Sequence, residues 1–276
     1  IAAVEVLEDA GFHVIVPAPD MCCGRPLYDY GMLNLAKRWL REALLILKPY
    51  IEGGMPIVFL EPSCAAVFKD ELPELMPADE DGKRLQKQVY PVSQFIVDRA
   101  PDYKIPPLRQ KVLLQVHCHH KSVLTRKDHH ELFERMQAEV EIPEPGCCGM
   151  AGAFGYEAEN GHCDVSKKIG EERLLPAVNQ LPKNRLVIAD GFSCRGQIEQ
   201  GSDRQAVHTA QAIKLALQDV SAFVPYPEKQ VLANDKKIRF TTTEKSLGAI
   251  VALLLSFLAV RQFTGSRAHE RKSADG

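Results

Sequence analysis

Phe12-His13-Val14-Ile15-Val16-Pro17 runs toward Cys22-Cys23-Gly24, and Val140-Glu141-Ile142-Pro143 runs toward Cys147-Cys148-Gly149. Each pairs an apolar, β-branched run of strand length with a turn carrying two adjacent thiols. Vicinal cysteines meet disulfide geometry only under strain. Two thiolates on one turn before a glycine suit a metal ion or a cluster better. Each copy is also followed by a further loop cysteine, Cys64 or Cys194. The pattern predicts a duplicated metal-binding unit.

Around these triplets, strands and helices alternate. Residues 1–10 read as a helix ending at Gly11, and residues 12–16 as a strand. Leu33, Ala36, Leu40, Leu44 and Leu47 recur at helical spacing up to Pro49, which is expected to stop the helix. Residues 56–60 form a buried strand ending in Glu61-Pro62-Ser63-Cys64. Helices follow from Ala65 and over residues 92–100. The second half repeats the order. Residues 112–116 form a strand ending in His117-Cys118-His119-His120, followed by a helix over 128–138 and a strand near Val140. A helix over 165–178 precedes the strand 186–189 and the loop Asp190-Gly191-Phe192-Ser193-Cys194. The last helix is expected behind a capping box, Ser202-x-x-Gln205, with Ala206, Ala210, Ile213, Leu217 and Val220 on one stripe.

The triplets lie 125 residues apart and the later cysteines 130 apart. The predicted fold is therefore α/β: two tandem repeats, each a small parallel sheet flanked by helices, related by pseudo-twofold duplication. The first repeat covers 1–103, the second 104–224, and a tail 225–276. In such sheets, sites gather beyond the carboxyl ends of the strands, which is where each cysteine group falls.

The chain has 276 residues, 45% of them hydrophobic, enough for real cores. A net charge of −2 carries no nucleic-acid footprint. Eight cysteines without a secretory signal read as ligands or reactive thiols before disulfides. The chain opens on Ile1, directly in a helical pattern, so further sequence is expected upstream.

Cys118, Cys147, Cys148 and Cys194 supply four thiolates on three strand-end loops. Iron–sulfur clusters take four cysteinates, and structural zinc takes four cysteine or histidine ligands. Four buried core thiols are the alternative. Cys22, Cys23 and Cys64 form a smaller set, which could complete a shared site or wall one. His117 and His119 flank Cys118, and either could ligate metal or hydrogen-bond a sulfur. His129 and His130 read as surface residues, and Cys163 as a helix-start thiol. Gly149, Gly152 and Gly155 would let the backbone approach the bound centre.

These residues resemble the cysteine-rich CCG domain of iron–sulfur oxidoreductases. The resemblance rests on His117-Cys118-His119-His120-Lys121, on the run from Gly146-Cys147-Cys148-Gly149-Met150 to Glu157, on Asp190-Gly191-Phe192-Ser193-Cys194 through Ile198, and on Glu61-Pro62-Ser63-Cys64. That group includes the glycolate oxidase iron–sulfur subunit, lactate-utilisation proteins and the C subunit of the anaerobic glycerol-3-phosphate dehydrogenase. The B subunit of heterodisulfide reductase belongs to it too. The most similar part is the carboxy-terminal portion of fused FAD- and iron–sulfur-binding 2-hydroxyacid dehydrogenases. The resemblance implies a 4Fe-4S cluster, with zinc as the alternative, on the second-half cysteines. It also implies FAD on an upstream domain or partner subunit. The function implied is electron transfer from that flavin toward an acceptor such as a quinone or a redox protein, within a D-lactate, glycolate or D-2-hydroxyglutarate type oxidoreductase. A zinc-stabilised docking subunit without redox chemistry is the competing reading. The fullest form of the motif ends in Cys-x-x-Cys, whereas this chain has Cys64-Ala65-Ala66-Val67 and Cys194-Arg195-Gly196-Gln197. The fifth thiol of the heterodisulfide reductase type of cluster is therefore missing.

Residues 247–260 are an apolar run followed by Arg261, Arg267, Arg271 and Lys272. Fourteen residues fall short of the roughly 20 needed to span a bilayer. A docking helix and peripheral membrane association are both open here. The implied location is cytoplasmic, with the inner face of the cytoplasmic membrane as the peripheral variant.

Overall fold

Ala2, Ala3, Val6 and Leu7 share one face of the first helix, α1 (Ala2–Asp9), and are buried. The computed structural model describes residues 1–17, 21–124, 127–143, 146–218 and 225–234. The apolar run 247–260 and Val220 lie outside the described residues. A short helix α2 (Arg25–Asp29) leads to α3 (Leu33–Glu52), whose stripe of Ala36, Leu40, Ala43, Leu44, Leu47 and Ile51 is buried. Pro49 does not stop α3. It sits in the last turn, where one missing N–H costs a single bond to the carbonyl of Leu45, an exposed residue, and its own carbonyl accepts from Gly53 (3.1 Å).

Strand β1 (Ile57–Phe59) enters α4 (Pro62–Ala66), a π-helical turn (Val67–Glu71) and α5 (Leu72–Leu75). Next come α6 (Glu80–Gln88), β2 (Val89–Pro91) and α7 (Val92–Arg99). The parallel partner of β1 is β2, in the register Ile57↔Val89. Residues 12–16, expected as a strand, pair into neither sheet. Phe12 instead packs edge-on against Phe95 (4.8 Å between centroids), while Ile15 and Val16 are exposed. β-branched residues alone do not make a strand without a ladder partner.

The second half keeps closer to expectation. It contains β3 (Lys111–Gln115), α8 (Cys118–Ser122), α9 (Lys127–Arg135) and β4 (Glu139–Glu141). Then follow α10 (His162–Glu172), α11 (Leu174–Gln180), β5 (Leu186–Ala189), α12 (Phe192–Gly201) and α13 (Thr209–Leu217). The single helix expected over 165–178 is two helices, divided at Arg173, whose φ of −142° is non-helical. The sheet order is β4-β3-β5, all parallel, so the chain is an α/β structure with small parallel sheets. Leu113, Val187 and Ile188 are fully buried, each contributing roughly 1.5–3 kcal/mol of hydrophobic stabilisation.

The helix cap is displaced from Ser202. Ala206 and Val207 run beside β5, bridging Ile188, so α13 starts only after His208. The capping box is His208 with Gln211, while Ser202 Oγ donates back to the Ile198 carbonyl (2.6 Å). Helix α13 returns onto α1 and α7, tying the chain's late segment to its first helix. Residues up to Lys229 make one contact unit.

Candidate metal centre

Four of the expected strand ends carry cysteines, whereas Cys22-Cys23 follows residues 12–16, which form no strand. Cys64 follows β1, Cys118 follows β3, the Cys147-Cys148 pair follows β4, and Cys194 follows β5. The reason is local. A parallel strand ends where the chain turns into a helix, and Glu61, His117 and Gly191 each sit at the N-cap of that helix in extended backbone. Cys64, Cys118 and Cys194 therefore fall in first helical turns, while Cys147 and Cys148 lie in the loop after β4. Helices α4 and α8 pack together, which sets the Cys64 turn beside the Cys118 turn.

The four second-half sulfurs form a chain of neighbours. The sulfur of Cys147 interacts with those of Cys118 and Cys148, and Cys148 in turn with Cys194. Cys148 and Cys194 are buried among Leu113, Met150 and Val187, whereas Cys118 and Cys147 are exposed. Thiol donation from Cys118 and Cys148 holds Cys147 far below the ordinary thiol range, helped by the Gly149 N–H (3.3 Å from Sγ). Cys118 is driven up chiefly by its contact with Cys147, and the buried Cys148 by its contacts with Cys147 and Cys194 and by burial. The four sulfurs cannot all ionise side by side without a cation to compensate them. A metal or cluster supplies that charge, so the donor set fits such a group.

The first-half set is also brought together. Cys23 Sγ lies 3.1 Å from Cys64 Sγ, and Cys22 is close enough to act on Cys64 electrostatically. Donation from Cys64 lowers Cys23 and raises Cys64 in return. Between the two sets stands Arg25. It pairs with Glu71 and Asp29, acts on Cys23, and contacts His119 Nε2 at 2.6 Å. Glu61 crosses the same boundary, accepting from the Phe192 N–H (2.7 Å). Neither Arg25 nor Glu61 was singled out from the sequence as acting between the sets. Their partners lie 94 and 131 residues away.

His117 and His119 flank Cys118 as expected, and the donor atoms of the three lie within 4.8 Å of one another. Burial pushes the His117 imidazole down to about 4, so it is neutral at pH 7. Its Nδ1 accepts from the His119 N–H (3.2 Å) and lies 4.0 Å from Cys118 Sγ. The glycines also serve packing. A Cβ on Gly149 (φ +88°) would collide with the Ser166 carbonyl of α10, and one on Gly155 with Met150 and Ser166. They let the loop press on α10, and of the two only the Gly149 amide turns toward sulfur.

His129 needs correcting. It is 2% exposed, not a surface residue, whereas His130 is exposed. Its Nε2 meets Asp190 (3.2 Å), and the Asp190 carboxylate also accepts from the Thr209 N–H (2.7 Å). Burial pushes Asp190 up, but His208, His129 and the Thr209 amide together hold it well below the carboxylate range. The sequence signal for this buried cluster was the pair of His-His steps (119–120 and 129–130) close to Asp128, with Asp190 at a strand end.

Among the described residues no helix is long and apolar enough to cross a membrane. The family model for the CCG cysteine-rich domain matches residues 1–69 and 112–199. The chain is 28% identical over 204 residues to D-2-hydroxyglutarate dehydrogenase of Pseudomonas putida, covering 73% of this chain and 19% of that protein. It is 25% identical over 227 residues to the C subunit of anaerobic glycerol-3-phosphate dehydrogenase of Escherichia coli K12, covering 78% and 54%. With lactate utilization protein A of Anoxybacillus flavithermus it shares 28% over 225 residues, covering 77% and 90%. The chain thus spans about a fifth of the first relative and about half of the second.

Proposed function

This chain belongs to the CCG cysteine-rich domain family, and on that premise we propose that it is the iron–sulfur electron-transfer module of a flavin-dependent 2-hydroxyacid dehydrogenase. Relatives named for D-2-hydroxyglutarate, glycerol-3-phosphate and lactate support a dehydrogenase system. FAD would reside on another domain or subunit, and the acceptor would be a quinone or redox protein. The proposed location is cytoplasmic. The membrane-face part of the expectation finds no support among the described residues.

The run of neighbouring sulfurs from Cys118 through Cys147 and Cys148 to Cys194 supports this reading. These four would hold a 4Fe-4S cluster, and Cys22, Cys23 and Cys64 would form a smaller second set. Bound there, a cluster supplies one-electron redox chemistry. The chain's own contribution is to hold and shield. Leu113, Met150 and Val187 exclude water on one side. The Gly149 amide donates to Cys147, and Arg25 places a positive charge between the two sets. Hydrogen bonds to sulfur and nearby positive charge are the levers that set a cluster's potential.

The matching of one family model to both halves supports the duplication, with repeats over 1–103 and 104–224 and a tail from 225. The test is anaerobic purification followed by iron and sulfide analysis and a visible spectrum. Four irons and four sulfides per chain, lost in Cys147→Ser with the circular dichroism spectrum retained, are expected. A colourless chain holding one zinc and no iron would make the centre structural and remove electron transfer.

A further inference from the structure

Behind the cysteine loops lies a second group of donors. His120, Asp128 and His129 are 0%, 2% and 2% exposed, and their donor atoms lie within 4.8 Å of one another. His120 Nε2 stands 3.0 and 3.1 Å from the two Asp128 oxygens. His129 Nδ1 faces Asp128 Oδ1 at 3.6 Å, and the two rings are 4.3 Å apart. Ser93 Oγ donates to Asp128 Oδ2 at 2.6 Å.

The tautomer of His129 creates a conflict. Its Nε2 is satisfied by the Asp190 carboxylate, which requires the proton there. In the neutral ring Nδ1 is then a lone pair, buried and without a hydrogen-bond partner, aimed at a carboxylate oxygen. Two acceptors facing each other away from water are costly unless a cation lies between them. An imidazole that donates its far N–H to a carboxylate while its near nitrogen faces other donors is the usual arrangement of a metal-bound histidine. Donors on a tetrahedral zinc at 2.0–2.1 Å sit about 3.3 Å apart; the separations of 3.0–3.6 Å to Asp128 straddle that value.

We propose that His120, Asp128 and His129 bind a divalent cation of the zinc class at a buried site distinct from the cysteine centre. Two imidazoles and a carboxylate suit zinc or iron(II) better than calcium or magnesium. The ion would pin α8, which begins at Cys118, to α9, and through Asp190 to the turn before Cys194. Its role is to hold two cysteine loops in register. The rival is a metal-free cluster in which His129 carries both protons. Burial opposes that state, but Asp190 and Asp128 outweigh it and shift the His129 imidazole upward, so the metal measurement has to decide between the two.

The test uses the full chain. As isolated, zinc-edge X-ray absorption should show one zinc per chain with only nitrogen and oxygen neighbours, whatever the iron content. After chelation, Co²⁺ should bind at one equivalent with weak visible bands and no sulfur charge-transfer absorption. Uptake should survive Cys118→Ser/Cys147→Ser/Cys148→Ser/Cys194→Ser and fall at least tenfold in His129→Gln and Asp128→Asn. If the serine variant does not fold, the zinc-edge measurement on the wild-type chain decides. Sulfur-only metal, no cobalt uptake, uptake unchanged in His129→Gln, or a zinc-refusing chain with His129 doubly protonated by NMR would each overturn the site. Iron and sulfide content reads the cysteine centre separately, so the two ideas fail independently.

Discussion

At Gly149 the backbone holds φ +88° while the Ser166 carbonyl closes over the place a side chain would occupy. Both effects exclude any other residue. Gly149→Ala should lower stability by roughly 2 kcal/mol or more, combining left-handed strain with overpacking; a shifted urea midpoint at unchanged m-value would register it. Gly191, in extended backbone, shares only the steric half, since a Cβ there would strike the His117 ring. The cysteines themselves were legible, because strand, turn and thiol recur in order along the chain. Their charges were not, since acidity at Cys147 arises from Cys118 and Cys148 meeting it in space. His129 was misread for a related reason. A histidine at a helix start looks solvated until the strand-end Asp190, 61 residues on, closes over it.

Helix ends show how far local rules carry. Ser202-x-x-Gln205 satisfies the capping pattern, yet Ala206 and Val207 are drawn alongside β5, and His208 with Gln211 takes the role. His208 also contacts the Leu60 carbonyl at 2.8 Å. His208→Ala should therefore cost at least about 1 kcal/mol, the usual worth of a cap, and urea unfolding monitored by circular dichroism would measure it. His208→Asn should lose less than that, because an asparagine side chain can still cap the helix. Pro49 makes the complementary point, since a proline in a final turn removes one bond that a solvated carbonyl can spare. Strand β2 was not legible, because three residues ending in proline carry little periodicity.

Across the whole molecule, the halves are fastened by contacts between residues remote in sequence. Arg25 meets His119, Glu61 meets Phe192, and α13 returns onto α1. A buried ion pair ties the last described segment to the rest. Arg204 Nε donates to Glu228 at 2.7 Å, with side chains 2% and 0% exposed. Glu228→Gln should destabilise the chain by about 3 kcal/mol, because a buried charge is left uncompensated. Arg204→Met with Glu228→Leu should recover most of that, as seen in chemical denaturation. A single variant within about 0.5 kcal/mol of wild type, the range of ordinary surface changes, would show that the segment is not anchored there.

What the amino-acid order determined was local and periodic: apolar runs of strand or helix length, turns at glycine and proline, and thiols placed where strands end. These follow from backbone sterics and hydrophobic spacing, which act over a few residues. Tertiary structure decided which sulfurs meet, that residues 12–16 find no ladder, and that His129 faces two carboxylates. Those outcomes depend on hydrogen-bond partners and burial contributed by residues tens to more than a hundred positions away, and no local pattern encodes them.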